Sequence, residues 1–335
     1  MSLPLGVLDQ SPIISGHTPA AAVAESVRLA ETADRLGYSR YWLAEHHAIA
    51  ALGDPCPEIL ATRVAAATAR IRVGTGGVLL PYYSALSVAE QFRMLEALFP
   101  GRIDLGIGRA PGGDRLTAQA VARGPYAFAD DFPEQVQDLV GFLDACLPPA
   151  HPFARVKAMP AGDTSPEVWL LGSSDYSGAL AAALGLRFAF AHFINARGGD
   201  AVMRAYKEAF KPSVRERSPR ALVCVFVICA ETAAEAEGLA APIDLRRLHM
   251  AVGIDAPVPS YDEAAAHRYT DRELAYVRSQ RPRLVVGDPD GVRKRLLALA
   301  EQYAADELMI LTITGDYASR RRSYELVAEA FGLGG

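Results

Sequence analysis

The run Leu222–Cys229 reads LVCVFVIC and holds no polar residue at any of its positions. A strand buried on both faces shows such a near-continuous apolar run, rich in β-branched residues. Strands of this kind are typical of parallel sheets covered by helices on both faces. This segment therefore predicts an α/β fold built on a parallel sheet.

Similar short apolar runs recur on both sides of this segment, and helical periodicity fills most of the intervals between them. The predicted strands are Leu3–Leu8, Arg40–Ala44, Ile71–Leu80, Arg102–Ile107, Val168–Leu171, Phe188–Phe193, Leu222–Cys229 and Glu307–Ile313. The first helix is predicted from Pro19 to Leu36, with Gly37 as its C-cap. Eight strands alternating with helices predict one domain over residues 1–335, a (β/α)₈ TIM barrel.

An open, doubly wound sheet is the alternative to the closed barrel. That architecture normally has fewer strands and a glycine-rich dinucleotide fingerprint after the first strand. Here the first strand is followed by Asp9-Gln10-Ser11-Pro12, which contains no glycine. The barrel is therefore the favoured prediction.

The interval between strand 7 and strand 8 is much longer than the others and runs from Glu231 to Asp306. A helix is predicted from Asp290 to Tyr303. The segment His249–Arg283 is irregular in pattern and contains several prolines and charges. A long insertion on the loop face of a barrel is usually a lid or an oligomer contact, so we expect a lid-like insertion here.

Composition narrows the classes of function. The 34 basic and 39 acidic residues give a net charge of −5, and Arg320–Arg322, the densest basic cluster, is interpreted as a solvated helix face. Neither nucleic-acid binding nor a membrane span is expected, because basic tracts and long apolar runs are both missing from the sequence. The four cysteines have no disulfide or metal-ligand spacing, which favours a reduced, cytoplasmic protein.

Polar residues and glycines follow several of the predicted strands. In α/β barrels the chemistry lies at the carboxyl ends of the strands. The segments found there are Glu45-His46-His47, Gly76-Gly77, Gly108-Arg109, Gly172-Ser173-Ser174 and His192. Their convergence predicts a single site in the barrel mouth.

Each of these segments also has a structural interpretation. Adjacent His46 and His47 face opposite ways in an extended segment, so one should enter the mouth, and the pair has poor metal-ligand spacing. Gly76-Gly77 indicates either a β-bulge with tight packing or the close approach of a flat ligand. Arg109 is either a surface ion-pair residue or an anion clamp. Ser174 at a helix start is either an N-cap or part of a phosphate seat at the positive end of the helix dipole.

Four segments in register resemble the motifs of the bacterial luciferase-like flavin monooxygenases. They are Arg40–His47 (RYWLAEHH), Val73–Pro81 (VGTGGVLLP), Gly101–Gly112 (GRIDLGIGRAPG) and Leu171–Gly185 (LGSSDYSGALAAALG). The closing segment Val285–Phe331 fits the same pattern, so the resemblance covers nearly the whole chain.

The resemblance implies a barrel that takes reduced FMN from a separate flavin reductase, adds O₂ to it and transfers one oxygen atom to a small organic substrate. It implies that His46 is catalytic and that a non-proline cis peptide joins Gly76 to Gly77 beneath the flavin ring. It further implies a homodimer and a set of contacts to the flavin phosphate. Those contacts are Arg109, Ser174 and Ser177, with Ser173 beside them and Arg123 as a candidate second arginine.

Two positions depart from luciferase itself, which has an acidic residue at Ser173 and a cysteine at Gly108. Both departures argue against light emission from a long-chain aldehyde, and the substrate stays open. Hydride transfer with a reduced deazaflavin and a non-catalytic flavin-binding role are the two alternatives. A deazaflavin tail would favour more basic residues near the phosphate seat, and the intact Glu45-His46-His47 segment argues against a non-catalytic protein.

Overall fold

The computed structural model describes residues 3–109, 112–122 and 131–334. Its strands are β1 Leu5–Asp9, β2 Arg40–Leu43, β3 Arg72–Leu79, β4 Ile103–Gly108, β5 Glu167–Gly172, β6 Arg187–Ala191, β7 Ala221–Cys229, β8 Leu284–Gly287 and β9 Glu307–Leu311. Strands β1 to β7 pair in sequence order, β7 pairs with β9, and β9 pairs with β1, all in parallel. These eight strands close the barrel, which confirms the predicted TIM fold. Strand β8 is an addition that the sequence pattern did not predict, and it pairs with the end of β7.

Helices surround this barrel and connect most of its strands. They are α1 Pro19–Leu36, α2 Pro57–Ala67, α3 Ala85–Leu98, α4 Arg115–Ala122, α5 Phe132–Leu143, α6 Asp175–Leu184, α7 Gly199–Glu208, α8 Ala233–Ala251, α9 Tyr261–Ala266, α10 Asp271–Gln280, α11 Pro289–Gln302 and α12 Tyr317–Phe331. Helix α1 has the predicted bounds. The Thr18 side chain accepts a hydrogen bond from the Ala21 amide at its start, and Gly37 ends it at φ 85°.

Alternate residues of β7 belong to different cores. Val223 and Val225 pack between the barrel and its helices, whereas Leu222 and Cys224 point into the barrel interior. Successive side chains of a strand point to opposite faces of the sheet, and this alternation produces the division. It also separates the two free thiols of this strand: Cys224 faces the barrel interior and Cys229 lies in the outer core.

The prediction of an irregular segment at 249–283 is wrong. Helix α8 extends to Ala251, and α9 and α10 follow it, each opened by a capping box. Ser260 with Glu263 and Thr270 with Glu273 exchange side-chain and backbone hydrogen bonds at the two helix starts. These caps stabilise helices too short and too polar to produce a clear apolar period.

A charged layer closes the barrel at the amino ends of the strands. Arg40 Nη1 lies 2.5 Å from Asp104 Oδ2, and its Nε lies 2.9 Å from Glu307 Oε1. Trp42 Nε1 donates to the same Asp104 carboxylate at 2.8 Å, and the Trp42 ring meets that of Trp169 edge to face. Every charge in this layer is paired, as burial requires. The open end of the barrel is therefore the carboxyl end of its strands.

The interpretation of Arg320–Arg322 as a solvated face is wrong for Arg320. This side chain is 1% exposed and places Nη2 2.6 Å from Asp9 Oδ1. Its Nε also donates to the Thr312 carbonyl at 2.8 Å. The side chain of Arg322, two residues further along the same helix, is 41% exposed and pairs with surface glutamates. The buried pair attaches the last helix to the first strand.

Candidate active site

A cavity of about 440 Å³ lies at the carboxyl end of the barrel. Its wall includes seven residues predicted from the sequence: His46, Gly76, Gly77, Arg109, Ser173, Ser174 and Ser177. Strand ends from all around the barrel contribute to it, as the fold requires. Arg123 lies outside the described residues.

Gly76 and Gly77 form a part of the cavity wall that has no side chains. The peptide between them is cis, as predicted. A Cβ atom on Gly76 would lie 2.7 Å from Leu8 Cδ1, and one on Gly77 would lie 2.6 Å from the Gly106 carbonyl oxygen. The register between β3 and β4 also shifts here, so the bulge interpretation holds together with the ligand-facing one. The result is a bare backbone surface that a planar group can approach closely.

One part of the cavity wall, which we call the anion seat, combines the guanidinium of Arg109 with the hydroxyl groups of Ser174 and Ser177. The Arg109 guanidinium lies 4.2 Å from the centroid of the Tyr176 ring, and within the described residues no carboxylate pairs with it. Ser174 occupies the N-cap position of α6 without making a capping hydrogen bond, and Ser177 lies one turn further on. Guanidinium, hydroxyls and the amino end of a ten-residue helix together suit a phosphate group.

His46 follows β2 and contributes to the cavity wall. Its backbone amide donates to the Asp54 carbonyl at 3.0 Å, and its Nδ1 lies 3.4 Å from the Ala44 carbonyl oxygen. Burial lowers the pKa of this imidazole to about 4, and the charge of Arg246 adds to the effect. A histidine in water titrates near neutrality, whereas burial leaves the His46 ring uncharged at neutral pH.

His47 takes the other direction and hydrogen-bonds to Glu45. Its Nε2 lies 2.7 Å from Glu45 Oε1, and its ring meets Tyr82 edge to face. Glu45 also accepts from the Tyr83 hydroxyl at 2.7 Å and from the Leu79 amide at 2.8 Å. This buried carboxylate organises the end of β3 beside the glycine floor. This role of Glu45 was not predicted from the sequence, although the position of Glu45 directly before the histidine pair was a signal for it.

His192 does not reach the cavity. Its neighbours Ala191 and Phe193 belong to the wall, whereas the His192 ring packs against Tyr303 with centroids 5.7 Å apart. Burial lowers its pKa to about 4. The expectation that His192 joins the rim residues is wrong, because alternate residues at a strand end face opposite sides.

The surface chemistry of the cavity fits a planar cofactor with a phosphate tail. No side chain projects from the Gly76-Gly77 peptide, where a Cβ atom would collide with neighbouring protein atoms, and Arg109, Ser174 and Ser177 contribute to the wall of the same cavity. Across the described ranges, no cluster of three or more histidine, cysteine or acidic side chains is arranged to hold a metal ion. In those same ranges no helix combines the length and apolar character needed to cross a membrane.

The fold and the position of this cavity are those of TIM-barrel enzymes, which keep their active sites at the carboxyl ends of the strands. The sequence from residue 3 to residue 306 matches the family model of luciferase-like monooxygenases, and the chain belongs to this family. A relative named luciferase-like monooxygenase from Escherichia coli (strain K12) is 37% identical over 98% of this chain and 97% of its own length.

Solved structures agree with this assignment. The crystal structure of apo-MsnO8 is 42% identical, covers 99% of this chain and 98% of its own, and superposes with a TM-score of 0.91. The oxygenating constituent of 3,6-diketocamphane monooxygenase from Pseudomonas putida, solved in complex with FMN, shares the fold at 21% identity and a TM-score of 0.72. It covers 98% of this chain and 97% of its own.

Proposed function

We propose that this protein uses reduced FMN and O₂ to insert one oxygen atom into a small organic substrate. The observation that carries the proposal is one cavity with three matched parts: the Gly76-Gly77 floor, the Arg109 anion seat and the uncharged ring of His46. Family membership and the FMN held by a protein of the same fold support the choice of flavin.

The residues divide the work between binding and proton handling. Arg109, Ser174 and Ser177 hold the phosphate, and the bare peptide at Gly76-Gly77 accommodates the ring system. When bound, the flavin supplies the electrons that activate O₂. His46 accepts and returns a proton at its ring nitrogen, and the depth of the barrel keeps water away from that exchange.

A deazaflavin is the alternative cofactor. Its longer acidic tail calls for additional cations, and among the described residues of the cavity wall Arg109 is the arginine present. FMN therefore suits this seat better. We also infer a separate flavin reductase, a homodimer and a lid role for the insertion between β7 and β9, all of which rest on the family resemblance.

A single-turnover experiment tests the function. The protein is mixed anaerobically with chemically reduced FMN and a panel of thioethers, ketones and aldehydes, each with and without a terminal anionic group, and oxygen is then admitted. We expect ¹⁸O from labelled O₂ in one product. Hydride transfer from a reduced deazaflavin without oxygen would contradict the proposal, as would tight FMN binding with no product from any member of the panel.

A further inference from the structure

A second cavity of about 340 Å³ opens from the first. The two cavities share Gln10, His46, Phe193 and Ile194 in their walls, so His46 stands at their junction. None of the phosphate-seat residues Arg109, Ser174 and Ser177 contributes to the second cavity. A molecule in it could thus contact His46 without occupying that seat.

Three arginines contribute to the wall of the second cavity. Arg246 and Arg247 lie on α8, and Arg283 directly precedes β8. Asp255 is the acidic residue of this wall, and its Oδ1 already accepts from the Ala50 amide at 2.9 Å. The second cavity therefore has more positive than negative charge.

Ion pairs do not neutralise these three arginines within the described residues. In residues 3–109, 112–122 and 131–334, no carboxylate lies within ion-pair distance of Arg246, Arg247 or Arg283. The nearby carboxylate of Asp244 pairs instead with Arg281 at 2.5 Å. Arg247 donates to the Gln280 carbonyl at 3.1 Å, whereas Arg246 has no hydrogen-bond partner in those ranges.

The charges of this wall are also poorly solvated. Burial lowers the pKa of Arg246, and burial together with Arg283 lowers the pKa of Arg247 to about 10. The charge of Asp255 acts against this drop for Arg246, and Arg247 lies over the Phe226 ring, 5.6 Å from its centroid. Keeping half-buried cations without an ion pair costs free energy, and such groups are usually paired when the protein does its work. An anionic ligand would supply the missing partner.

The second cavity also has an apolar part. Ile49, Leu52, Phe226, Ile243 and Leu311 contribute to its wall beside polar residues such as Gln10 and Tyr276. Arginines and apolar side chains in the wall of one cavity suit an amphiphilic anion, because guanidinium pairs with oxyanions and an apolar chain is stabilised when it leaves water.

We propose that the second cavity binds the substrate, that this substrate is an organic anion with an apolar chain, and that Arg246 is the principal contact of its carboxylate, sulfonate or phosphate group. This inference rests on the proposed function and specifies the substrate class for the same site. The anionic group would lie at Arg246, and the apolar chain would point toward His46 and the first cavity.

Binding measurements without turnover test this inference. Isothermal titration calorimetry on the protein with oxidised FMN would compare octanoate, octanesulfonate and octyl phosphate with 1-octanol and octylammonium. We expect at least one anion to bind tenfold or more tightly than both the alcohol and the ammonium probe. The three anions distinguish which oxyanion the site prefers.

Substitutions locate the contact. Arg246→Met should weaken binding of the preferred anion by about tenfold or more and leave the binding of 1-octanol and FMN unchanged. Arg246→Lys should bind the anion more tightly than Arg246→Met and less tightly than the wild type. Arg278→Met is the matched control: Arg278 is an exposed α10 side chain outside the second cavity and should bind the anion as the wild type does. Melting curves show whether each variant is folded.

Three results would overturn the inference: an alcohol bound as tightly as the anions, a folded Arg246→Met that keeps full anion affinity, or an FMN affinity that falls with Arg246→Met. The last result would place the flavin phosphate in this cavity. The proposed function fails separately, when the wild type does not bind FMN at all.

Discussion

The ring of His47 is hydrogen-bonded to the Glu45 carboxylate, with Nε2 2.7 Å from Oε1, while the adjacent His46 ring faces the cavity. Two neighbouring histidines therefore have different surroundings. One completes the hydrogen bonding of a buried acid, and the other is an uncharged ring at the junction of two cavities.

We expect His46→Ala to fold and bind FMN normally but to lower single-turnover product yield by about 10²–10⁴, the range for a lost acid–base group. His47→Ala should leave chemistry per folded molecule nearly intact and lower stability by about 1–3 kcal/mol, because Glu45 loses a partner in a buried site. Melting curves and single-turnover yields measure the two effects. An unstable His46 variant beside a stable, inactive His47 variant would invert the assignment.

The anion seat predicts a selective loss of phosphate recognition. Arg109→Ala should weaken FMN binding by about tenfold or more and leave riboflavin binding nearly unchanged, since a charge-assisted contact contributes roughly 1.5–3 kcal/mol. Fluorescence titration of both flavins provides the comparison. Equal losses for FMN and riboflavin would indicate that Arg109 has only a structural role.

The buried ion pair between Arg320 and Asp9 predicts that two arginine substitutions in the same helix lower the free energy of unfolding by very different amounts. Arg320→Met should destabilise the fold by about 3–5 kcal/mol, because it leaves the buried Asp9 carboxylate without its cation. Arg322→Met, two residues away and 41% exposed, should change stability by less than about 1 kcal/mol. Urea denaturation measures both variants. Similar values for the two would show that burial does not govern these pairs.

Asp54 predicts a pH dependence of stability. Burial raises its pKa to about 7, and the nearby Asp9 and Glu58 carboxylates add to the rise. The folded state therefore binds a proton that the unfolded chain has already released, and this contribution to stability is lost as pH rises from about 4 through 7. Asp54→Asn keeps an oxygen for the Cys56 amide, which donates to Asp54 Oδ1 at 3.0 Å, and removes the charge.

We expect the Asp54→Asn variant to melt like the wild type near pH 4 and progressively higher than the wild type up to about pH 8. Differential scanning calorimetry across that range measures the gap between the two melting temperatures. A constant gap at every pH would show that the Asp54 carboxyl does not titrate in this window.

Much of the fold was accessible from local pattern. The apolar run of β7, the period of α1 and the glycine caps depend on residues close in sequence, so the barrel and most element bounds could be predicted. The positions of His46, Gly76-Gly77 and Arg109 in one mouth followed from the rule that strand ends converge. The resemblance to known motifs then indicated the cofactor and the cis peptide.

The remaining features depend on contacts between distant segments. Arg320 is buried because Asp9 lies beside it, 311 positions earlier in the chain, and a helix pattern cannot show that partner. The pKa of His46 falls because packing removes water from its ring, which composition alone does not reveal. The wall of the second cavity is positively charged because α8 brings Arg246 and Arg247 to the same cavity as Arg283, while Arg281 pairs with Asp244. The sequence by itself determined the eight strands of the barrel and the polar residues and glycines that follow them. The tertiary structure decided which charges keep a partner and which face an open cavity, because pairing and desolvation depend on distance in space rather than along the chain.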